Sequence, residues 1–409
     1  MSPTSSYLVF LQSPWGLASL LADEVRSLGY SLHPKGVLPE GVELRVSREE
    51  LWRLCLELRL AEAVWVRMKL FSARHFNELR DGVAKLPLHA WLAPGTAVAV
   101  RAVCHRSKLI HSGAVEERVT QVFTERFGLA LGREDEGAVG VLVRVHQDQV
   151  QLSLNAGGYR LHRRGQRACV ERGSLRETLA AAVVSKAFQS ACALHDVPSD
   201  HPAVLSKPVG KELTVQESSE QKRVLWDPFC GAGTILLEAV SWAEAEVPAL
   251  RRKFAFEQFK NFSQSDYVAL CTRMKGSSSA DSFFEAVIGS DISSRALEAT
   301  RANFAGSPRA NVVQLHQGRV EEIASSIPRG AWVMTNPPYG KRIAERGALK
   351  KFYRVLEERP DLRVVSMIMS SQGAQKLPSF FERAERLKNG GLNAVLCQRK
   401  TSASVNDAE

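Results

Sequence analysis

The stretch Val224-Leu225-Trp226-Asp227-Pro228-Phe229-Cys230-Gly231-Ala232-Gly233-Thr234-Ile235-Leu236-Leu237-Glu238-Ala239 decides the fold class. It opens as an apolar run of strand length, turns through two glycines, and continues with apolar residues at helical spacing. A strand feeding a helix through a glycine turn is the unit of a doubly wound α/β sheet. Glycines let backbone approach a ligand closely, and the unpaired N–H groups of the helix start face the same place. Leu236 stands where a dinucleotide fingerprint would have its third glycine, and no Gly-Lys-Ser/Thr of a phosphate loop follows. The turn therefore suits an adenosyl ligand without phosphates. Asp227, at the strand end, would repel a phosphate but pair with a cationic ligand group.

Two more strand ends follow. Ala286-Val287-Ile288-Gly289-Ser290-Asp291-Ile292 ends in an acid, where a doubly wound sheet presents a carboxylate to ribose hydroxyls. The alternative role for Asp291 is the N-cap of the next helix. The interval from Gly233 is long, and the basic, Ser-rich stretch 250–283 reads as an insertion. Ala331-Trp332-Val333-Met334-Thr335-Asn336-Pro337-Pro338-Tyr339-Gly340 is the most specific feature. Two successive prolines cannot donate to a ladder, so the chain leaves the sheet and the Pro337 carbonyl is free for another partner. With the Asn336 side-chain oxygen it makes two acceptors converging on one small donor, which suits an exocyclic amine. Tyr339 supplies a stacking face. The plainer reading is a rigid Pro-Pro turn with a core tyrosine.

The 409 residues carry 54 Lys+Arg against 44 Asp+Glu, a formal excess of ten positive charges that favours a polyanionic partner. Six arginines, at 160, 163, 164, 167, 172 and 176, stand against the single acid Glu171. Seven scattered cysteines without a C-x-x-C pair point to a reducing intracellular compartment and to no structural metal. No run approaches a membrane span, and Tyr7–Leu11 reads as a first strand rather than a signal peptide. The expected location is cytoplasmic, with an organellar address left open.

The chain begins as α/β: strands at 7–11 and 42–46, a helix over 17–28, and a second helix from Ser47 with Glu50 completing a capping box. Strands recur at 63–70, 97–103, 141–145 and 150–154, with a helix at 115–127. Ser174-Leu175-Arg176-Glu177 has the form of a second capping box, starting a helix at Leu175. Residues 196–222 are Pro-, Ser- and charge-rich and read as a connector. The acidic loop 132–140 reads as exposed rather than metal-binding.

DPFCGAGTILLEA, GSDIS and TNPPYGKR resemble motifs I, II and IV of class I S-adenosylmethionine-dependent amino-methyltransferases. More narrowly, the chain resembles THUMP-domain RNA methyltransferases related to the K/L-type enzymes that methylate guanine N2 in large-subunit ribosomal RNA. Residues 157–167, 174–181 and 387–392 carry this further likeness. The resemblance implies an α/β fold: an N-terminal α+β module, ferredoxin-like (1–60) plus THUMP (61–157), and an Arg-rich segment and connector (158–222). A Rossmann-like seven-stranded doubly wound methyltransferase sheet (223–400) and a tail (401–409) would follow. It implies S-adenosylmethionine as cofactor, with Asp227, Phe229, Gly231, Gly233 and Thr234 on its methionine side and Asp291 at the ribose. Asn336, Pro337, Pro338 and Tyr339 would hold the target base. Arg160, Arg163, Arg164 and Arg167 would grip RNA, ribosomal or transfer, through phosphates.

The chain departs from the family where an acid often meets the adenine amine: here Arg319 follows Gln317-Gly318, and Gln317 or a nearby Glu is expected to take over. Gln166 stands where an aromatic is common. Cys230 reads as a small buried thiol rather than a nucleophile. Competing functions are methylation of another amine, such as adenine N6 or a protein glutamine amide, and a non-catalytic RNA-binding or assembly factor.

Overall fold

The computed structural model describes residues 6–165, 167–169, 174–205, 223–275, 282–338, 343–389 and 392–400. The chain divides into two compact units. The first takes the chain up to Ser13, Leu32–His162 and Ala249–Gly276; the second takes Pro14–Ser31, Arg163–Pro248 and the chain from Ser277.

In the first unit the strands are β1 (Tyr7–Gln12), β2 (Val37–Leu38), β3 (Gly41–Val46), β4 (Ala63–Ser72), β5 (Ala97–His105), β6 (Ala130–Leu131), β7 (Val139–His146) and β8 (Gln149–Asn155). Among the described residues they form one sheet, in the order β2-β3-β1-β4-β8-β7-β5-β6. Because side chains alternate, Val9, Leu11, Val42, Val64, Val66, Val141, Val143, Val150 and Leu152 are buried. Arg45 and Leu8 face each other in the antiparallel register on the other side, as do Arg144 and Gln151. The boundary expected at residue 60 thus falls within a continuous sheet, since β4 pairs with both β1 and β8.

Helix α1 (Ala18–Ser27) belongs to the second unit, while α2 (Arg48–Glu57), α3 (Phe76–Ala84) and α4 (Ser112–Phe127) belong to the first. The capping box at α2 is formed: the Ser47 N–H donates to Glu50 (2.6 Å) and the Glu50 N–H to the Ser47 hydroxyl (3.3 Å).

Of the stretch 250–283 read from the sequence as an insertion in the catalytic half, the part up to residue 276, with Ala249, packs in the first unit. The Arg252 guanidinium donates to the carbonyls of Gly157 (2.9 Å), Tyr159 (3.3 Å), Arg160 (3.1 Å) and Leu161 (3.0 Å). Trp52 of α2 meets Phe256, Phe262 and Tyr267 with ring centroids 5.5–5.9 Å apart. Arg48 pairs with Asp266 at 2.6 Å, and Arg273 with Glu49 at 2.7 Å. The aromatic residues of this stretch have no period of their own and find their cover on a helix some 200 positions earlier.

The second unit contains α5 (Glu177–Ala193), β9 (Val224–Asp227), α6 (Thr234–Ala243), β10 (Ala286–Asp291), α8 (Ser294–Phe304), β11 (Val313–Gln317), α9 (Val320–Ile323), β12 (Trp332–Thr335), α10 (Ile343–Glu358), β13 (Val365–Ser370), β14 (Phe381–Asn389) and β15 (Leu392–Arg399); α7 (Gln264–Lys275) lies in the first. Its sheet runs β11-β10-β9-β12-β13-β15-β14. The first five of these strands are parallel, and β15 and β14 form an antiparallel hairpin against β13. This is the Rossmann-like seven-stranded sheet expected. The chain fills one side of β9 with β10 and β11, then crosses to the other side with β12. Ligands of open α/β sheets bind where the order reverses, at the carboxyl ends, which here is between β9 and β12. Trp226, Val333 and Met367 are fully buried in the core beneath that point.

Helix α5 starts at Glu177, with Arg176 at the N-cap position and no side-chain cap bond. The capping box expected at Ser174 is therefore absent. Glu177 is instead taken by the Arg167 guanidinium at 2.7 Å, so its carboxylate does not turn back to cap the helix.

Candidate active site

Four strand ends make the site. Asp227 closes β9 and is 1% exposed. Its Oδ1 accepts from the Phe229 N–H (3.1 Å) and from the Thr335 hydroxyl at the end of β12 (2.6 Å). Burial pushes its carboxyl up to about 7; the nearby Asp291 charge adds to this, while the two donors pull the other way. Among the described residues no cation pairs with it, so a cationic ligand group would meet an acid already stripped of water.

Gly231 (φ +54°) and Gly233 (φ +74°) both adopt the left-handed conformation. At Gly233 a Cβ would lie 2.7 Å from Thr300 Cγ2, whereas at Gly231 it would meet nothing within 4 Å, leaving the turn open on that side. The turn is clamped by its neighbours. The Cys230 N–H donates to the Ser290 carbonyl (3.0 Å), and the Gly231 N–H to Asp291 Oδ2 (3.1 Å). Thr300 and Asn303 of α8 donate to the carbonyls of Gly231 (2.7 Å) and Ala232 (2.9 Å). Burial pushes the Cys230 thiol well above its ordinary value, which makes it a poor nucleophile.

The second oxygen of Asp291 accepts from the Ser293 N–H (2.9 Å), and Ser293, not Asp291, caps α8 through the Ala296 N–H. Beside it Ile292 is 72% exposed, an apolar side chain at the carboxyl edge that the motif reading passed over. An exposed apolar residue next to a strand-end acid was the available signal. The Gln317 amide nitrogen donates to the Ile292 carbonyl (3.3 Å), and the Arg319 N–H to Glu322 (2.9 Å). Glu322 is therefore occupied at the start of α9.

Asn336 directly follows the threonine that bonds Asp227. Its Oδ1 is buried and, among the described residues, has no hydrogen-bond partner. An orphaned buried acceptor costs roughly 1–3 kcal/mol, so it marks a place for a donor. Pro337 is buried and Pro338 half-buried; Tyr339, and Gln166 of the earlier segment, lie outside the described residues. Phe229 is half-buried and packs edge-on against Phe352, ring centroids 5.4 Å apart. Thr234 begins α6, and its hydroxyl accepts from Arg167 (2.9 Å).

The four arginines expected to grip RNA divide. Arg160 is exposed, with its guanidinium 4.8 Å from the Tyr159 ring centroid, and Arg163 is exposed. Arg164 and Glu238 of α6 form an ion pair in which each side chain is 2% exposed. Arg167, 8% exposed, is held by Glu177 and Thr234. This corrects the expectation for Arg164 and Arg167: a buried guanidinium bonded to a carboxylate has no face left for a phosphate. Glu238 lies 74 positions away, so nothing local in the sequence marks the pair.

Residues 197–396 match the RMKL-like methyltransferase domain, and residues 9–65 match the RlmL ferredoxin-like domain, together more than half of the chain. The chain carries an RMKL-like methyltransferase domain together with an RlmL ferredoxin-like domain. YpsC of Bacillus subtilis is 25% identical over 85% of this chain and 83% of its own length. The ribosomal RNA large subunit methyltransferase K/L of Syntrophotalea carbinolica is 28% identical over 86% of this chain but 47% of its own length; the chain spans about half of such K/L relatives. In fold it is similar to SMU.472, solved in complex with SAH, with a TM-score of 0.77, 20% identity, and coverage of 98% of this chain and 99% of that one.

Arg164→Ala in this methyltransferase is expected to cost about 3–5 kcal/mol in urea unfolding, because the buried Glu238 carboxylate loses its ion-pair partner. Arg164→Met with Glu238→Leu should recover most of that loss; no recovery would mean the pair is not the source. For Asp227 the folded value lies above the unfolded one, so its stability contribution is lost as pH rises from about 4 to 7. Asp227→Asn should therefore gain on the ligand-free wild type by on the order of 3 kcal/mol between pH 5 and pH 8. Parallel stability curves for the two proteins would contradict the burial of an uncompensated carboxylate.

Proposed function

We propose that this chain transfers a methyl group from S-adenosylmethionine to the exocyclic N2 amine of a guanine in RNA, with large-subunit ribosomal RNA as the substrate. The observation that carries this reading is the orphaned Asn336 Oδ1, one residue beyond the threonine tied to Asp227. The residues present fit the cofactor. Asp227 offers a dry carboxylate to its ammonium, the open side of Gly231 leaves room beside the turn, and Asp291 keeps lone pairs for ribose hydroxyls. Ile292 offers an apolar surface to the adenine, and Gln317 Oε1 takes the place of the acid missing at Arg319.

When bound, the cofactor supplies a sulfonium whose methyl group is electrophilic. Asn336 Oδ1 and the Pro337 carbonyl accept the N–H bonds of the target amine, orient its lone pair, and stabilise the positive charge that develops on nitrogen. No covalent intermediate is needed, so placement provides most of the acceleration, and the base must leave its stack to be placed. Guanine N2 comes from the family resemblance and ribosomal RNA from the name of the K/L relatives.

The RNA backbone is assigned to the first unit. The outward side of its sheet carries Arg45, Arg101 and Arg144, and a groove of about 810 Å³ on it is lined by Arg45, Lys69, Arg144, Gln149 and Gln151, with Arg67 below them held by Glu43 at 3.1 Å. Burial and then the like charge of Arg144 both lower the Arg67 pKa, against the pull of Glu43. The cations of this face, the exposed Arg45, Lys69 and Arg101 with the half-buried Arg144, favour a phosphate chain.

Asn336→Ala should abolish turnover while calorimetric cofactor affinity changes less than about threefold. Labelled-cofactor assays should place the label in RNA, at guanine on nucleoside analysis; label confined to DNA or protein would refute the reading. Arg101→Glu with Arg144→Glu should weaken RNA binding and reduce the slope of log affinity against log salt by about two. An unchanged slope would remove the sheet groove from the RNA path.

A further inference from the structure

Trp15 is 52% exposed, yet it is held in place. It belongs to the segment Pro14–Ser31 that packs in the second unit. The Lys388 N–H donates to the Trp15 carbonyl (3.3 Å), so the segment bonds to β14, the edge strand of the sheet. Gly16 (φ +93°) presses against that strand so closely that a Cβ would lie 1.9 Å from the Arg386 carbonyl oxygen. The Lys388 ammonium stands 5.6 Å from the Trp15 ring centroid. Single exposed apolar residues are ordinary on surfaces, but an indole fixed by a glycine contact and a cation has a defined orientation.

Beside it is a cavity of about 390 Å³, lined among others by Gln375, Arg383, Arg386 and Asn393. Among the described residues no acid lines it. Arg383 and Arg386 are three positions apart and would ordinarily point to opposite faces of β14. A bulge between Arg383 and Glu385 shifts the register, so that they oppose Cys397 and Val395, which share a face. Glu385 turns aside and pairs with Lys186 at 3.4 Å. The cavity opens on the carboxyl side of the sheet, where Ser370 pairs with Ala394. Asp227 and Asn336 end on this same side, and β15 lies two strands, about 10 Å, across the sheet from β12.

We infer that Trp15 and this cavity form a second nucleotide site, which takes an unstacked base of the RNA strand next to the target guanine. This rests on the RNA reading above. The indole stacks the base, Arg383, Arg386 and Lys388 meet its phosphates, and the Gln375 and Asn393 amides face the base edge. Volume and chemistry agree: the space is within the usual range for a small ligand, and the ring, cations and amides are those that bind single-stranded nucleic acid. With one base flipped into the catalytic site, its neighbour loses a stacking partner, and Trp15 replaces it.

The test uses the full chain, S-adenosylmethionine and a transcribed large-subunit ribosomal RNA, with Trp15→Ala and Trp15→Phe. Trp15→Ala should raise KM for RNA about tenfold with kcat and cofactor affinity kept, and Trp15→Phe should restore most of it. RNA carrying 4-thiouridine beside the methylated guanine should crosslink to the peptide that contains Trp15. The inference is overturned if RNA binds and is methylated equally well by Trp15→Ala, or if Phe fails as badly as Ala. It is also overturned if Trp15 proves to be covered by a second copy, seen as a wild-type mass that falls in the alanine variant. Wild-type protein that binds no RNA would refute the RNA reading itself, and this site with it.

Discussion

The hydrogen bond from the Thr335 hydroxyl to the Asp227 carboxylate joins the two halves of the catalytic chemistry. The residue before Asn336, to which the amine is assigned by proposal, is bonded to the acid that begins the glycine turn, and both lie at the point where the strand order reverses. Because the bond is buried, it has little freedom to lengthen without leaving the fully buried Thr335 hydroxyl without its acceptor. On the proposed reading, the methyl donor and the acceptor amine are placed by adjoining residues of neighbouring strands. A tolerance of a few tenths of an ångström between them is then set by sheet geometry rather than by loop conformation.

Around that bond the structure holds unmet demands in reserve. Asp227 is dry and lacks a cation among the described residues, Asn336 Oδ1 lacks a donor, Ile292 lacks a cover, and the turn at Gly231 opens onto space. Each is unfavourable in the protein alone and is relieved by a different part of the ligands proposed. Binding free energy is thereby directed to the reacting groups. The backbone clamps from Ser290, Asp291, Thr300 and Asn303 keep the turn from collapsing to relieve these demands by itself.

The arginine-rich segment after the first sheet shows how charge counts mislead. Arg164 and Arg167 are drawn inward by Glu238, Glu177 and Thr234, and they brace helix α6 and the residue at its start. Arg160 and Arg163 stay exposed, and the further cations proposed for RNA are spread over the sheet of the first unit, on strands that no sequence window contains together. The same holds for the 249–276 stretch. It follows a catalytic helix in sequence, yet Arg252 and Phe256 complete the other unit.

The local order of residues determined the strands, the glycine turn, the acids at 227 and 291 and the Asn-Pro-Pro sequence. Alternation, helical spacing and proline's missing donor act over a few residues and can be read there. The capping box at Ser47 was legible for the same reason, whereas the one at Ser174 failed because Arg167, ten positions before the glutamate, claimed it. Only the tertiary structure decided which arginines are buried, which strand pairs across residue 60, where the 249–276 stretch packs, and that Gly16 presses on Arg386 at the far edge of the sheet. Apart from Arg167 with Glu177, those outcomes depend on pairings between residues about 50 to 370 positions apart. Burial and electrostatic partnership are properties of such pairs, and neither member carries them in its own neighbourhood of the chain.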